Sequence, residues 1–187
     1  MKFYLIRHGE TNWNLEGRIQ GGIDVGLNER GRRQAQDAGK HISAEQVFDI
    51  ASSPLRRAYQ TAEIISKNVE VGDFRVIKQF REFDQGFWNG LRVRQLLDDL
   101  EPERYRLWQE KPLEYPPPGG DSLERLRERV KEGIGELLTV SSRPQLIVAH
   151  KVVNSMIAHL AGDWSLEDVM VSLPDNAAIY SVEIEEV

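Results

Sequence analysis

Four places in this chain carry side chains suited to chemistry on an anion. Arg7-His8-Gly9 follows an apolar run at residues 3–6. An arginine offers a fork of donors matched to phosphate or carboxylate oxygens. A neutral imidazole can act as base, metal ligand or nucleophile. Gly9 would let the backbone turn sharply and approach a bound group. His150 ends a second apolar run, 146–149, in the same way. A histidine between a strand end and a helix start is well placed to touch an anion. Arg56 and Arg57 open a helical pattern, where each cation opposes the helix dipole by a few tenths of a kcal/mol to ~1 kcal/mol. A bound anion would offset that cost, and Arg57 is expected to make the contact while Arg56 reaches solvent. Glu82 and Asp84 lie among the aromatics and glycines of 80–90. An apolar wall raises a carboxyl pKa, which suits a general acid. Spacing alone does not choose between the two.

What is missing narrows the chemistry. The chain has no cysteine, which removes disulfides, cysteine-zinc sites and a thiol nucleophile together. It also has no Gly-x-x-x-x-Gly-Lys-Ser/Thr, no His-Glu-x-x-His and no Gly-x-Ser-x-Gly. Phosphoryl transfer through a histidine nucleophile fits the remaining inventory. The net charge of −6 argues against a nucleic-acid or anionic-membrane partner. An anionic substrate must therefore be drawn by a local cluster of arginines. The 187 residues, 40% hydrophobic and 29% charged, fit one globular domain over 1–187. No signal-like or membrane-length run is present, so a cytoplasmic home is expected.

These groups need a scaffold, and the apolar periodicity supplies one. Strands are expected at 3–6, 48–52, 74–77, 146–149 and 177–184. The last alternates and reads as an edge, which leaves a monomer or a homodimer open. Asn28 should cap a helix over 28–42, and Ser53-Pro54 should open one over 54–67. Residues 91–110 read as a helix in two pieces split at Pro102. Leu96, Leu97 and Leu100 should face inward from the first piece, Tyr105 and Trp108 from the second. Asp121 and Glu124 suggest a capping box before a helix over 122–140. Another helix should follow His150 directly. Residues 12–26 read as a loop that could hang Asn14, Arg18, Gln20 and Gly21 over the site. His41 and His159 read as surface or packing residues. Strands alternating with helices argue an α/β sandwich with a mostly parallel sheet.

The blocks, taken together, resemble those of the histidine phosphatase superfamily, in its phosphoglycerate-mutase-like branch. Arg7-His8-Gly9-Glu10-Thr11 is similar to the defining motif, and 52–61 to the block whose arginine before alanine, here Arg57, binds phosphate. Glu82, before Gly86-Phe87-Trp88-Asn89-Gly90, falls at the position of the family acid. Gly119-Gly120-Asp121-Ser122 is similar to a Gly-Gly-Glu-Ser block, and Val148-Ala149-His150 carries the second histidine. One departure is Lys151, where most relatives have glycine. The 80–112 region and Pro174-Asp175-Asn176-Ala177 are similar to metal-independent phosphoserine phosphatases.

The resemblance implies a three-layer α/β/α sandwich and a phosphatase acting on a small phosphorylated metabolite, phosphoserine among the candidates. It implies attack by neutral His8, with Arg7, Arg57 and a protonated His150 holding the phosphoryl oxygens. Glu82 would protonate the leaving alkoxide, and neither cofactor nor metal would be required. Asn14, Gln20 and Gly21 fall at positions that line the phosphate or substrate in relatives, and Trp13, Phe87 and Trp88 would form an apolar rim. A phosphoglycerate mutase and a catalytically silent phosphate-binding module are the alternatives. Relatives that act as mutases are usually longer, with an inserted lid.

Overall fold

The computed structural model describes residues 1–42, 48–170 and 175–187. Pro174 lies outside them. Among the described residues the strands are β1 (Lys2–Arg7), β2 (Phe48–Ser52), β3 (Val71–Val76), β4 (Gln145–Ala149) and β5 (Ile179–Glu183). They form one sheet in the order β3-β2-β4-β1-β5. β1 runs parallel to β4, as β2 does to both β4 and β3, and β5 alone is antiparallel, at the edge beside β1. The sequence explains the order. β4 is buried at every residue, as a strand covered on both faces must be. β5 alternates exposed and buried positions, which an edge allows.

The helices are α1 (Asn12–Leu15), α2 (Glu29–His41), α3 (Arg56–Ser66), α4 (Val93–Gln95), α5 (Pro102–Glu110), α6 (Leu123–Val140) and α7 (Lys151–Leu160). Successive strand residues point to opposite faces of the sheet. On one face Ile6, Ile50, Leu146 and Val148 pack against Ala38 and Ile42 at the end of α2 and Ala58, Ala62 and Ile65 of α3. On the other, Leu5, Ala51, Ile147 and Ala149 pack with α6 through Leu126, Val130 and Ile134 and with α7 through Val153 and Met156. The result is the expected three-layer α/β/α sandwich.

Local departures from the sequence expectations have local causes. Residues 12–15 are helical, not loop, because Thr11 and Asn14 cap each other reciprocally. α3 starts at Arg56, after Leu55, because Ser53 spends its side chain elsewhere. The cap of α6 is Ser122, whose Oγ accepts the Arg125 N–H at 3.3 Å; Asp121 instead pairs with Arg125 and Arg129. β3 begins earlier than expected because Asp49 accepts the Asp73 N–H at 3.0 Å and holds this polar stretch against β2. Leu97 and Leu100 are exposed, contrary to expectation, while Leu96 is buried. Residues Leu96–Leu100 form a π-helical turn, whose extra residue per turn swings two of the leucines off the inward face. β5 starts at Ile179, since Ala177 adopts a left-handed backbone (φ 64°).

Candidate active site

Sheet register brings the two histidines together. Arg7 pairs with Ala149 across β1 and β4, so each strand's next residue is a histidine at the same end of the sheet. The His8 N–H donates to the Ala149 carbonyl at 3.0 Å, and the two imidazole centroids lie 5.3 Å apart. β2 flanks β4 on its other side, with Ser52 opposite Val148, which brings Ser53 beside His150. The chain leaves β1 toward one face of the sheet, through α2, and leaves β4 toward the other, through α7. A crevice at the carboxyl end of the strands follows from that divergence.

Glycine is required where β1 turns. A Cβ on Gly9 would run into the Gly31 carbonyl, and one on Gly31 would run into the backbone of Glu10. The turn is thus in backbone contact with the start of α2. The Gly9 N–H donates to Thr61 Oγ1 at 3.0 Å, and Thr61 donates to the Arg57 carbonyl at 2.7 Å. Glu10 fastens the turn further by accepting from Asn28 at 2.9 Å and pairing with Arg30 at 3.3 Å.

Hydrogen bonding assigns the two imidazoles opposite faces. His8 Nδ1 lies 2.8 Å from the Gly9 carbonyl. A carbonyl only accepts, so Nδ1 carries the proton and Nε2 is left with a bare lone pair. Ser53 Oγ accepts the Leu55 N–H at 3.3 Å and lies 2.7 Å from His150 Nε2. The hydroxyl proton has no other acceptor among the described residues, so it is assigned to Nε2, and the proton of the neutral His150 ring to Nδ1. That nitrogen is buried and has no hydrogen-bond partner among the described residues, and the same is true of Arg7 Nε and Arg57 Nε. Three buried donors without a described partner and one bare nitrogen are the groups that an anion site with a nucleophile would need.

Burial, reinforced by Arg57 and Arg7, holds the His8 imidazole well below 6.5. Burial does the same to His150, with Arg57, His8 and Arg7 adding to it. The expectation of a protonated His150 is therefore corrected: buried among cations it is neutral, and it donates through Nδ1–H. Arg57, 1% exposed, is lowered by burial from 12.5 to about 10 and keeps its charge. Burial raises the Glu82 carboxyl, against the opposing Phe83 N–H and the charges of Arg57, Arg7 and Arg129. Asp84 turns away and accepts from the Gly86 N–H at 2.9 Å and from Asn89. Of the two carboxylates left open by spacing, Glu82 is the one among the site's cations. Both carboxylates line a cavity of about 320 Å³ with Lys78, Arg81 and Arg129.

The loop residues occupy supporting positions. Arg57 donates to the carbonyls of Gly21 and Ile23 at 2.8 and 2.7 Å, and Arg81 donates to that of Gly22 at 2.8 Å. Two guanidiniums thus hold three consecutive carbonyls. Gln20 accepts from Thr11 Oγ1 at 3.0 Å, and Asn14 accepts from the Thr11 N–H at 3.0 Å, so both side chains brace the loop after His8. Arg56 is exposed and pairs with Asp24, as expected. Arg18 stacks over Trp13 and donates to the Gly90 carbonyl at 2.9 Å. Phe87 is 79% exposed and can serve as rim, but Trp88, 1% exposed, is a core residue packed edge-on against Tyr105. His41 is exposed, and His159 bonds the Trp164 carbonyl, as surface and packing residues do.

Three contributors escaped the sequence reading. Ser53, read as a cap, sets the His150 tautomer. Arg129 of α6 reaches the Gln79 and Arg81 carbonyls and acts on Glu82. Asn176 donates to the His8 carbonyl at 2.6 Å. Only Asn176 had a local signal, in the 174–177 block.

Comparison with known proteins agrees with this geometry. Residues 3–187 match the model of the histidine phosphatase superfamily (branch 1). Phosphoserine phosphatase 1 of Hydrogenobacter thermophilus is 35% identical over 190 residues, covering 100% of this chain and 88% of that protein. The structure of a mycobacterial glucosyl-3-phosphoglycerate phosphatase in complex with VO3 is 29% identical, with a TM-score of 0.85 over 96% of this chain and 91% of that one. The structure of Bacillus stearothermophilus YhfR is 28% identical, with a TM-score of 0.87 over 98% of this chain and 91% of that one.

Proposed function

The chain belongs to the histidine phosphatase superfamily, and on that premise we propose that it is a metal-independent phosphomonoesterase working through a phosphohistidine on His8. The observation that carries this reading is the bare Nε2 of His8, on a ring 5.3 Å from that of His150, in a buried site where His150 Nδ1 and the Nε of Arg7 and Arg57 have no partner among the described residues. In the first step Nε2 attacks phosphorus in line, and the bond from phosphorus to the ester oxygen breaks. Glu82, whose carboxyl is raised by burial, gives its proton to the departing oxygen. In the second step water attacks the phosphohistidine and Glu82 takes a proton back, releasing inorganic phosphate. Both transition states spread negative charge over three equatorial oxygens. Arg7 and Arg57 supply fixed positive charge there and His150 a fixed dipole, preorganised in a buried site where such groups act most strongly.

The test is inorganic phosphate release from a panel of phosphorylated metabolites in the presence of EDTA. Turnover by the wild type and none by His8→Ala supports the reading, as does acid-labile phosphate trapped on the wild type within one turnover. Retained activity in His8→Ala sinks the nucleophile. Phosphoserine heads the panel, because a relative over the whole chain carries that activity in its name. Turnover of other esters with none of phosphoserine would keep the phosphatase and discard that substrate.

A further inference from the structure

Lys151 is the first residue of α7 and directly follows His150. It is half-buried, and its ammonium makes no hydrogen bond or ion pair with another described residue. A cation there is opposed twice, by the positive end of the α7 dipole and by Arg7. Burial and Arg7 disfavour its charge, and only Glu82 supports it. Glu82 loses even that role when it carries the proton needed for the leaving group. The protein thus sets an uncompensated cation beside its own catalytic centre.

The charges of a bound substrate account for it. The two negative charges of a phosphomonoester match Arg7 and Arg57, while Arg129 is paired with Asp121 and Arg81 is spent on the Gly22 carbonyl, so the unpaired Lys151 is left for a further negative charge on the substrate. Its neighbours say where that charge lies. Glu82 is the group proposed to protonate the ester oxygen, and Arg7 is proposed to hold the phosphoryl group. Lys151, one residue past His150 at the start of α7, stands at the rim of that site, where a substituent a few bonds beyond the ester oxygen would lie. The buried Nδ1 of the adjacent His150, without a partner among the described residues, sets this helix start at the proposed phosphoryl site.

We infer that Lys151 is a specificity-determining residue whose ammonium receives a carboxylate on the leaving alcohol, so that phosphate esters of small hydroxy acids are the preferred substrates. This rests on the phosphatase reading above. Matched substrate pairs test it: phosphoserine against phosphoethanolamine, and phosphoglycerate against glycerol phosphate. The members of each pair differ in whether the leaving alcohol carries a carboxylate. The readout is the ratio of kcat/KM within each pair, in which damage to the shared phosphate site cancels. The wild type should favour the carboxylate-bearing member. Lys151→Met should lower that ratio roughly tenfold or more, the loss of one charge-assisted hydrogen bond, and Lys151→Arg should retain most of it. An unchanged ratio in Lys151→Met overturns the inference. A shift of the pH profile on phosphoethanolamine with the ratio unchanged also overturns it, by assigning Lys151 to the tuning of Glu82. Absence of turnover and of phosphohistidine in the wild type would instead remove the underlying phosphatase reading, and the inference with it.

Discussion

The two buried histidines are proposed to play different roles because their neighbours engage opposite ring nitrogens. Gly9 fixes the proton of His8 on Nδ1, and Ser53 fixes that of His150 on the same atom by donating to Nε2. The first ring then turns a lone pair to the site and the second an N–H. Glu82 differs from Asp84, two residues away, in having no fixed partner except the Phe83 N–H at 2.8 Å. Its pH behaviour is therefore exposed to measurement. With the carboxyl raised by burial, kcat/KM for alkyl phosphates should decline on the alkaline side as Glu82 ionises. Glu82→Gln should lower kcat for such esters by roughly 10²–10⁴-fold and flatten the alkaline limb. Its effect on p-nitrophenyl phosphate, whose leaving group departs without a proton, should be much smaller. Equal losses on both ester classes would remove Glu82 from the acid role.

At the scale of elements, the site depends on two close crossings. One is β1 against β4, whose register places His8 and His150 side by side. The other is the turn after β1 against the start of α2, where Gly9 and Gly31 leave room only for backbone. Gly31 carries no chemistry, yet a methyl group there must push the Glu10 backbone away. Gly31→Ala should destabilise the fold by roughly 1–3 kcal/mol. It should also lower kcat, because the displaced turn carries His8. A lower melting temperature with unaltered kcat would show that the turn tolerates displacement and that His8 is held by other contacts. The loop over 20–23 is a second case of element-level control. Its carbonyls are held by Arg57 and Arg81, so one arginine serves both the loop and the proposed phosphate site.

For the whole molecule, folding removes two imidazoles from water in a chain whose other two described histidines sit at the periphery. Both buried rings are held well below their ordinary value of 6.5. As pH falls through 6.5 the unfolded chain takes up protons that the folded chain refuses, so stability present above that pH is lost below it. Glu82 has the opposite sign. Its folded pKa lies above the ordinary 4.5, so its contribution is lost as pH rises from there through the raised value. Two rings against one carboxyl predict a lower melting temperature at about pH 6 than at about pH 7.5, with a smaller difference in His8→Asn. A melting temperature that is flat or rises toward pH 6 would contradict burial of neutral rings.

Sequence by itself determined which groups are available and which segments carry them. Apolar runs broken by Arg7-His8-Gly9 and His150, a helix opened by Arg56 and Arg57, and strands alternating with helices were legible because they depend on neighbours within a few residues. The caps at Ser53 and Asp121 were misread for the complementary reason. Both side chains are claimed by distant partners, His150 and Arg129, which no local pattern reveals. The inward placement of Leu97 and Leu100 failed because one π-helical turn resets the phase of an otherwise regular period. Only the tertiary structure separates the surroundings of Glu82 from those of Asp84, favours a neutral His150 and withdraws Trp88 from the rim. Those outcomes depend on burial and on the fields of charges brought together across the sheet, and neither exists until the strands are in register.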